Sequence, residues 1–319
     1  MSQPDGRVVG PLVAAPADID AVNELFSQAF TERYHRDGMA GVRVPYLNPA
    51  VWRYAIADAG EGALVWRDEA GGIVAFNMVH RSGREGWMGP LAVRTDLQGR
   101  GMGRRIVSAG IALLKAGGAT TIGLETMPRT VDNIGFYARL GFHPGHLTVT
   151  LSRPVQDRGT DAGIRLSATG GDRDRWLGRC RTLTDRLRPG ADFTREIDLT
   201  RDLGLGDTTL LVEEGALRGF ALWHGAALAA DRAPEELRVL KLVADTPGTG
   251  MRVLSCVERT ASQERLERMT LRAETAEVEA FGRLVREGFE VLWTDLRMVL
   301  GGYEEPPRTG GLVYSNWEI

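Results

Sequence analysis

Three glycines stand where an apolar run, ending at Val93, gives way to a helical pattern: Gly99, Gly101 and Gly103. Because glycine is a poor helix residue, this placement needs a physical reason. The first amides of a helix have no intrahelical partner and attract anions, and a phosphate approaches them closely where side chains are absent. Arginines surround the same turn, at positions 100, 104 and 105. The stretch predicts an anion site, with a tight strand-to-helix turn as the alternative.

The spacing of these glycines excludes the two common nucleotide motifs. A G-x-G-x-x-G fingerprint counted from Gly99 or Gly101 ends on Arg104 or Ile106, and no G-x-x-x-x-G-K-[ST] string occurs in the chain. The pattern that fits is Q-x-x-G-x-G, which begins at Gln98.

A second motif lies downstream in "NIGFYARLGF", where Gly141 and Phe142 follow four and five residues after Tyr137. The two motifs, with the strand-like "TTIGLET" between them, resemble the GNAT superfamily of acyl-CoA-dependent N-acetyltransferases. The resemblance covers about residues 8–152. It implies that acetyl-CoA is the co-substrate and that no metal takes part.

The resemblance also implies which residues bind acetyl-CoA. Backbone amides at the end of "GPLAV" pair with the pantetheine arm and polarise the thioester carbonyl, and the glycine turn holds the pyrophosphate. Many family members have an arm-binding asparagine where this chain has Thr130, a predicted helix N-cap, so the contact is expected to move to Asn133 or to vanish. The predicted donor-binding set is Leu91, Ala92, Val93, Gln98, Gly99, Arg100, Gly101, Met102, Gly103, Arg104 and Asn133.

Two side chains are predicted to do the chemistry, Tyr137 and Glu125. A phenol has a pKa near 10 against about 8.5 for a thiol, so Tyr137, where the family places a tyrosine, can donate a proton to the departing sulfur. Glu125 ends the strand next to the splayed one and can act as the base, although Glu274 at the matching place in the second half favours a structural role for both. His80, a water and the terminal carboxylate of Ile319 are the alternative bases.

The order of elements occurs twice along the chain. Periodicity predicts helices over residues 17–34 and 48–59, an antiparallel meander over 62–93, and then helix, strand, short helix and strand. A polar segment follows at residues 153–163, and beyond it the same order recurs. There "MTLRAET" parallels "TTIGLET" and "VREGF" parallels "ARLGF", at a nearly constant offset of 147 to 149 residues. In this copy Gln98 has no counterpart and Leu284 replaces the tyrosine, so the second half is expected to have lost catalysis.

These observations predict an α/β (α+β) fold of two tandem GNAT-type domains. Each is expected to be a mixed, mostly antiparallel sheet flanked by helices, with a splayed central strand pair. The predicted boundaries are residues 1–152 for the catalytic domain, 153–163 for a linker, and 164–319 for a degenerate domain with a C-terminal tail.

Composition restricts the partners. The chain has 319 residues, a net charge of −3 and two cysteines, Cys180 and Cys256. The absence of a basic excess argues against nucleic acid, and no apolar run approaches the roughly 20 residues of a membrane span. Few cysteines and no signal-peptide pattern predict a cytoplasmic protein. The oligomeric state is left open between a monomer and a homodimer.

The predicted function is transfer of an acetyl group from acetyl-CoA to a primary amine, by direct transfer in the N-terminal domain. The acceptor, a small molecule or a peptide, is not specified by the sequence, and the acyl group can be longer than acetyl. The alternative is a non-catalytic acyl-CoA sensor or regulatory module.

Overall fold

The computed structural model describes residues 8–156 and 162–315. Its first half contains, in order, β1 (Val9–Val13), α1 (Ile19–Arg36), α2 (Pro49–Ala59), β2 (Ala63–Arg67), β3 (Ile73–Ser82), β4 (Glu85–Val93), α3 (Met102–Ala116), β5 (Thr121–Thr126), α4 (Val131–Arg139) and β6 (Phe142–Pro154). The predicted helices and the three-stranded meander are confirmed. Strand β1 has no counterpart among the sequence predictions.

The second half repeats this order, which confirms the predicted duplication. Its elements are β7 (Ile164–Arg165), α5 (Arg173–Leu187), α6 (Thr194–Asp202), β8 (Gly206–Glu213), β9 (Ala216–His224), β10 (Glu236–Ala244), α7 (Pro247–Gln263), β11 (Arg268–Glu274), α8 (Val278–Arg286), β12 (Glu290–Leu300) and β13 (Leu312–Ser315).

One continuous sheet runs through both halves. Its strand order is β1-β2-β3-β4-β5-β12-β6-β11-β10-β9-β8-β7, and β13 pairs separately with β10. Strand β12 of the second half therefore lies between β5 and β6 of the first, while β6 lies between β12 and β11. Because each half completes its sheet with a strand of the other, the halves are interlocked. The domain boundaries drawn from the sequence stay a prediction.

Strands β4 and β5 separate after a short parallel contact. Their pairing covers four residue pairs, from Glu85–Thr121 to Met88–Leu124, although β4 continues to Val93 and β5 to Thr126. On its other side β4 stays paired with β3 through the Ala75–Val93 pair. The predicted splay of a central strand pair is thus present in the first half.

Helices pack on both faces of the first-half sheet. Helices α1 and α2 cover one face, and their core includes Val22, Leu25, Trp52, Phe76 and Met78. Helices α3 and α4 cover the other, over a core that includes Met88, Ile106, Val107, Leu124 and Tyr137. Since burying a large apolar side chain contributes roughly 1.5–3 kcal/mol, the two cores fix the strands that carry the site.

Candidate active site

The end of β4 offers two backbone amides to the gap between β4 and β5. In an antiparallel pair the N–H groups of alternate residues point toward the neighbouring strand. The Arg94 amide donates to the Val74 carbonyl, so Ala92, two residues back, also points its N–H toward β3. Leu91 and Val93 therefore point their N–H groups away from β3 and into the gap. Of the three residues predicted to meet the pantetheine arm, these two have the matching backbone direction.

Each of the three glycines has its own structural reason. Gly99 and Gly101 have φ angles of 74° and 84°, a left-handed conformation that favours glycine. Gly101 is also the N-cap of α3, and no side chain caps the helix there. A Cβ on Gly103 would lie 3.2 Å from Cζ of Phe136 on α4, so this glycine lets α4 pack closely. The first-turn amides of α3 face outward beside the gap, as an anion site requires.

The polar side chains of the glycine turn divide into two groups. Gln98 closes the turn, because its Nε2 donates to the Val93 carbonyl at 2.9 Å. Arg105 donates to the carbonyls of Val8 and Gly10 and so ties the turn to the N-terminal segment. Arg100 and Arg104 are exposed at the helix start. Their predicted contact with the pyrophosphate is consistent with this position and stays a prediction.

Tyr137 lies on α4 with a largely buried side chain. Its ring packs against Phe136 and Phe142, at centroid distances of 5.1 and 6.1 Å, within the core under α3. Asn133, one turn earlier, donates weakly to the Thr126 hydroxyl at 3.4 Å, at the end of β5. Thr130 occupies the N-cap position, but its hydroxyl donates to Asp37 instead of capping the helix, which corrects the predicted side-chain cap.

Glu125 lies in an ion network that joins the two halves. Its side chain is 1% exposed and pairs with Arg297 at 3.1 Å and with Arg272, both from the second half. The Thr148 hydroxyl donates to the same carboxylate. Arg297 also stacks on the Trp87 ring, with its Cζ 3.8 Å from the centroid. With two guanidinium partners the carboxylate is suited to holding the interface, and its predicted role as base stays a prediction.

His80, the alternative base, is buried and engaged at both ring nitrogens. Nδ1 lies 2.8 Å from Oδ2 of Asp58, and Nε2 lies 3.0 Å from the Gly89 carbonyl oxygen. Burial alone would raise the pKa of Asp58, but the hydrogen bond from His80 and the charge of Arg195 outweigh it and lower that pKa. This geometry suits a positioning role more than exchange of a proton with a substrate.

In the second half the matching gap is filled by the chain itself. Strands β10 and β11 also pair in parallel over four residues and then separate, and β13 pairs with β10 beyond that point. The Asp245 amide donates to Arg218 as Arg94 does to Val74, so Leu242 and Ala244 correspond to Leu91 and Val93. Strand β13 places Tyr314 and Leu312 opposite Leu242 and Ala244. The slot equivalent to the predicted pantetheine site is thus occupied by a strand.

Unlike the start of α3, the start of α7 is capped by a side chain. Its N-cap is Thr246, whose hydroxyl accepts from the Thr249 amide at 3.1 Å. A Cβ on Gly250 would lie 2.5 Å from a methyl carbon of Leu312, so β13 also packs against this helix. In the second half a side chain thus caps one first-turn amide of the helix, and β13 fills the gap.

The last turn of α1 spans the mouth of the first-half gap. Arg36 donates to Oε1 of Gln98 at 2.8 Å, and Asp37 accepts from the Thr130 hydroxyl, so the turn contacts the loops that follow β4 and β5. Tyr34 lies 5.8 Å, between centroids, from Trp293 of β12. The second half therefore contributes to the wall on the side of the gap opposite α3.

The described residues contain neither a metal-binding cluster nor a membrane-spanning helix. In residues 8–156 and 162–315, no group of three or more His, Cys, Asp or Glu side chains could hold a metal ion. Within the same ranges no helix has the length and hydropathy needed to cross a membrane. Ile319, whose carboxylate is one alternative base, lies outside the described residues.

The sequence of the first half identifies its class. Residues 19–142 match the model of the acetyltransferase (GNAT) family, so this part of the chain is a GNAT domain. The match covers the gap, the glycine turn and Tyr137. No curated protein sequence matches the chain.

Solved structures share the fold over the whole chain. A proposed acetyltransferase from Pyrococcus horikoshii has a TM-score of 0.69 at 16% identity. The superposition covers 99% of this chain and 96% of the Pyrococcus chain. A GCN5-related N-acetyltransferase from Sphaerobacter thermophilus has a TM-score of 0.61 at 15% identity, with 100% of both chains covered. A tandem GNAT protein from the clavulanic acid biosynthesis pathway has a TM-score of 0.61 at 13% identity, covering 95% and 99%. These likenesses show that the chain has the tandem GNAT fold.

Several residues of the site carry no signal in the sequence. Asp58 and Arg195 hold His80, and Arg272 and Arg297 hold Glu125. Arg272 lies in the repeated strand "MTLRAET", but nothing in that repeat indicates its partner, and the other three belong to no motif. Three of the four come from the second half. Their contacts with the site depend on the packing of one half against the other, which the sequence does not indicate.

Proposed function

We propose that the first half transfers an acetyl group from acetyl-CoA directly to a primary amine. The observation that carries this proposal is the gap between β4 and β5, with the amides of Leu91 and Val93 directed into it and the uncapped start of α3 beside it. A pantetheine arm is an extended chain with amide groups, so it can pair with free strand amides as a strand would. A pyrophosphate fits the first-turn amides of α3.

Each residue of the site has a proposed role. Leu91 donates its amide to the acyl oxygen, Gly99, Gly101 and Gly103 let the pyrophosphate approach, and Tyr137 donates its phenolic proton to the leaving thiolate. The neutral amine forms the new C–N bond as the C–S bond breaks, and its excess proton passes to water. Tyr137, left as a phenolate, then takes a proton from the solvent. Glu125 and His80 are both held by other side chains, which supports water as the acceptor of that proton.

We propose that the second half supports the acceptor site and binds no donor of its own. Its slot holds β13, its helix start is capped by Thr246, and Leu284 stands in place of Tyr137. Trp293, packed on Tyr34, supports a place for the second half in the acceptor wall. In this proposal residues 1–152 are the catalytic domain and residues 164–319 are its partner.

A screen of primary amines tests the function. The chain is incubated with acetyl-CoA and small amines, aminoglycosides or peptides with free amino groups, and release of the coenzyme A thiol is measured. Acceptor-dependent release supports the enzyme. Tight binding of acetyl-CoA without release for any amine would favour the acyl-CoA sensor, and faster release from longer acyl-CoA thioesters would redefine the donor.

A further inference from the structure

A hydrogen-bonded chain of three side chains, two of them buried, runs from the second half of the molecule to strand β4. Arg195 on α6 donates from Nη2 and Nε to Oδ1 of Asp58, at 2.8 and 3.1 Å. The other carboxylate oxygen lies 2.8 Å from Nδ1 of His80, and Nε2 of His80 lies 3.0 Å from the Gly89 carbonyl oxygen. Both ring nitrogens thus face oxygen atoms, so the position of the ring is fixed at both ends.

The carbonyl at the end of this chain belongs to a β-bulge. The β3–β4 register passes from Asn77–Leu91 to Val79–Met88, which leaves Gly89 and Pro90 in β4 opposite a single residue of β3. A bulge interrupts the ladder, so its polar groups need other partners. His80 supplies one to Gly89. Pro90 has no N–H and a fixed φ, so a single backbone rotation, the ψ of Pro90, separates the held Gly89 peptide group from the Leu91 amide.

The second half provides an internal comparison. The pair Ala75–Val93 of the first half corresponds to Gly219–Ala244 of the second. His80 and His224 lie the same number of residues after Ala75 and Gly219, so His224 is the counterpart of His80. It is equally buried, but its Nε2 pairs with the Thr200 hydroxyl at 2.9 Å. Burial, with Arg238 nearby, lowers the pKa of His224 well below its usual value. The carboxylate partner is therefore a feature of the half whose gap is open.

The position of Arg195 links this chain to the seam between the halves. Besides Asp58, its Nη2 donates to the Arg81 carbonyl at 2.8 Å, so it holds α2 and β3 together. Its side chain is 44% exposed, in contrast to the buried Asp58. A residue of the second half can thus act on β4 through two intermediates.

We propose that His80 positions the Leu91 amide for polarising the thioester carbonyl by holding the Gly89 carbonyl, and that Asp58 and Arg195 hold His80. The inference rests on the proposed function, since it assigns the Leu91 amide to the acyl oxygen. His80, Asp58 and Arg195 are positioning residues, because none of them touches the reacting atoms. The second half then contributes to catalysis through Arg195.

The test observes the thioester directly and needs no acceptor. Acetyl-CoA labelled with ¹³C at the acetyl carbonyl is bound to the full chain, and its carbonyl stretch is measured by isotope-edited infrared difference spectroscopy. A hydrogen bond from the Leu91 amide lowers the stretching frequency. The variants are His80→Ala, His80→Gln, whose amide can still donate to Gly89, and the matched control His224→Ala.

In wild type and His224→Ala we expect the lowered frequency. In His80→Ala we expect it to return toward the value in solution, and in His80→Gln to be partly restored. With any amine that the screen identifies, kcat of His80→Ala should fall about thirtyfold, below the 10²–10³-fold cost of losing an oxyanion donor, while the KM for acetyl-CoA stays within about threefold. A lowered frequency that persists in folded His80→Ala refutes the inference. Absence of acetyl-CoA binding in wild type instead refutes the proposed function.

A second pair of variants tests the role of Arg195. Arg201 lies on the same helix with the same 44% exposure, and it pairs with Asp202 and Asp198 inside the second half. Arg195→Ala should lower kcat about fivefold to tenfold and move the carbonyl frequency in the direction of His80→Ala. Arg201→Ala should change neither. Equal spectra and equal kcat for the two variants would remove Arg195 from the proposal.

Discussion

Replacing Glu125 by glutamine separates a structural role from a catalytic one. The carboxylate is 1% exposed and meets Arg272 and Arg297, which come from positions 147 and 172 residues further along the chain. Glu125→Gln removes the charge and leaves two buried guanidinium groups short of a partner. Breaking a buried ion pair in this way costs about 3–5 kcal/mol, and the amide retains part of the hydrogen bonding, so we expect about 3 kcal/mol.

This loss can be measured as a change in melting temperature. With about 2.1 cal/mol/K of unfolding entropy per residue, about 3 kcal/mol corresponds to a fall in Tm of about 4 °C for this chain. Glu274→Gln is the matched control. Glu274 is its second-half counterpart, 2% exposed, and pairs with Arg308 at 2.9 Å and with Arg188 at 3.4 Å. Calorimetry should show a comparable fall for both variants.

Turnover decides between the two roles. Loss of a general base costs about 10²–10⁴ in rate. We expect Glu125→Gln, assayed well below its Tm with an accepted amine, to keep kcat within about threefold of wild type. The contrary result is a hundredfold loss of kcat in Glu125→Gln at unchanged Tm, with Glu274→Gln still active. It would refute the structural role of Glu125 and identify Glu125 as the base.

Two further predictions concern Tyr137 and Glu305. Tyr137→Phe keeps the ring in its core and removes the acid, so kcat should fall about a hundredfold while the calorimetric Kd for acetyl-CoA stays within about twofold; an unchanged kcat would exclude the acid role. Burial alone would raise the pKa of Glu305, but Arg297 and Arg188 lower it to about 2. Because this pKa is below the ordinary value, the pairing stabilises the fold above about pH 4.5 and is lost as the pH falls toward 2. Urea unfolding should therefore show a larger difference between wild type and Glu305→Gln at pH 7 than at pH 3, and an equal difference would contradict the assignment.

The sequence predicted the elements of the first half well because their signals are local. Apolar periodicity placed α1 and α3, and the Q-x-x-G-x-G spacing located the uncapped start of α3. The left-handed φ angles of Gly99 and Gly101 are consistent with the tight strand-to-helix turn that the sequence offered as an alternative. Each of these features depends on residues within one or two turns of each other.

The exchange of β6 and β12 could not be predicted from sequence. Both strands keep antiparallel neighbours and buried apolar residues whichever sheet they join, so their patterns do not distinguish the alternatives. The ion partners of Glu125 follow from that exchange. The residues of β13 are apolar enough to pack, but their place in the second-half gap depends on the splay of β10 and β11, which lies far away in sequence.

Calorimetric titration of acetyl-CoA tests the central claim most directly. We expect one site per chain in wild type, because β13 fills the second gap, and loss of binding in Gly101→Glu, which places a carboxylate and a strained residue at the phosphate site. Gly118→Glu is the control, since Gly118 has a φ of 75° and equally open space but lies at the other end of α3. Two sites per chain, or equal affinity in wild type and Gly101→Glu, would contradict the account.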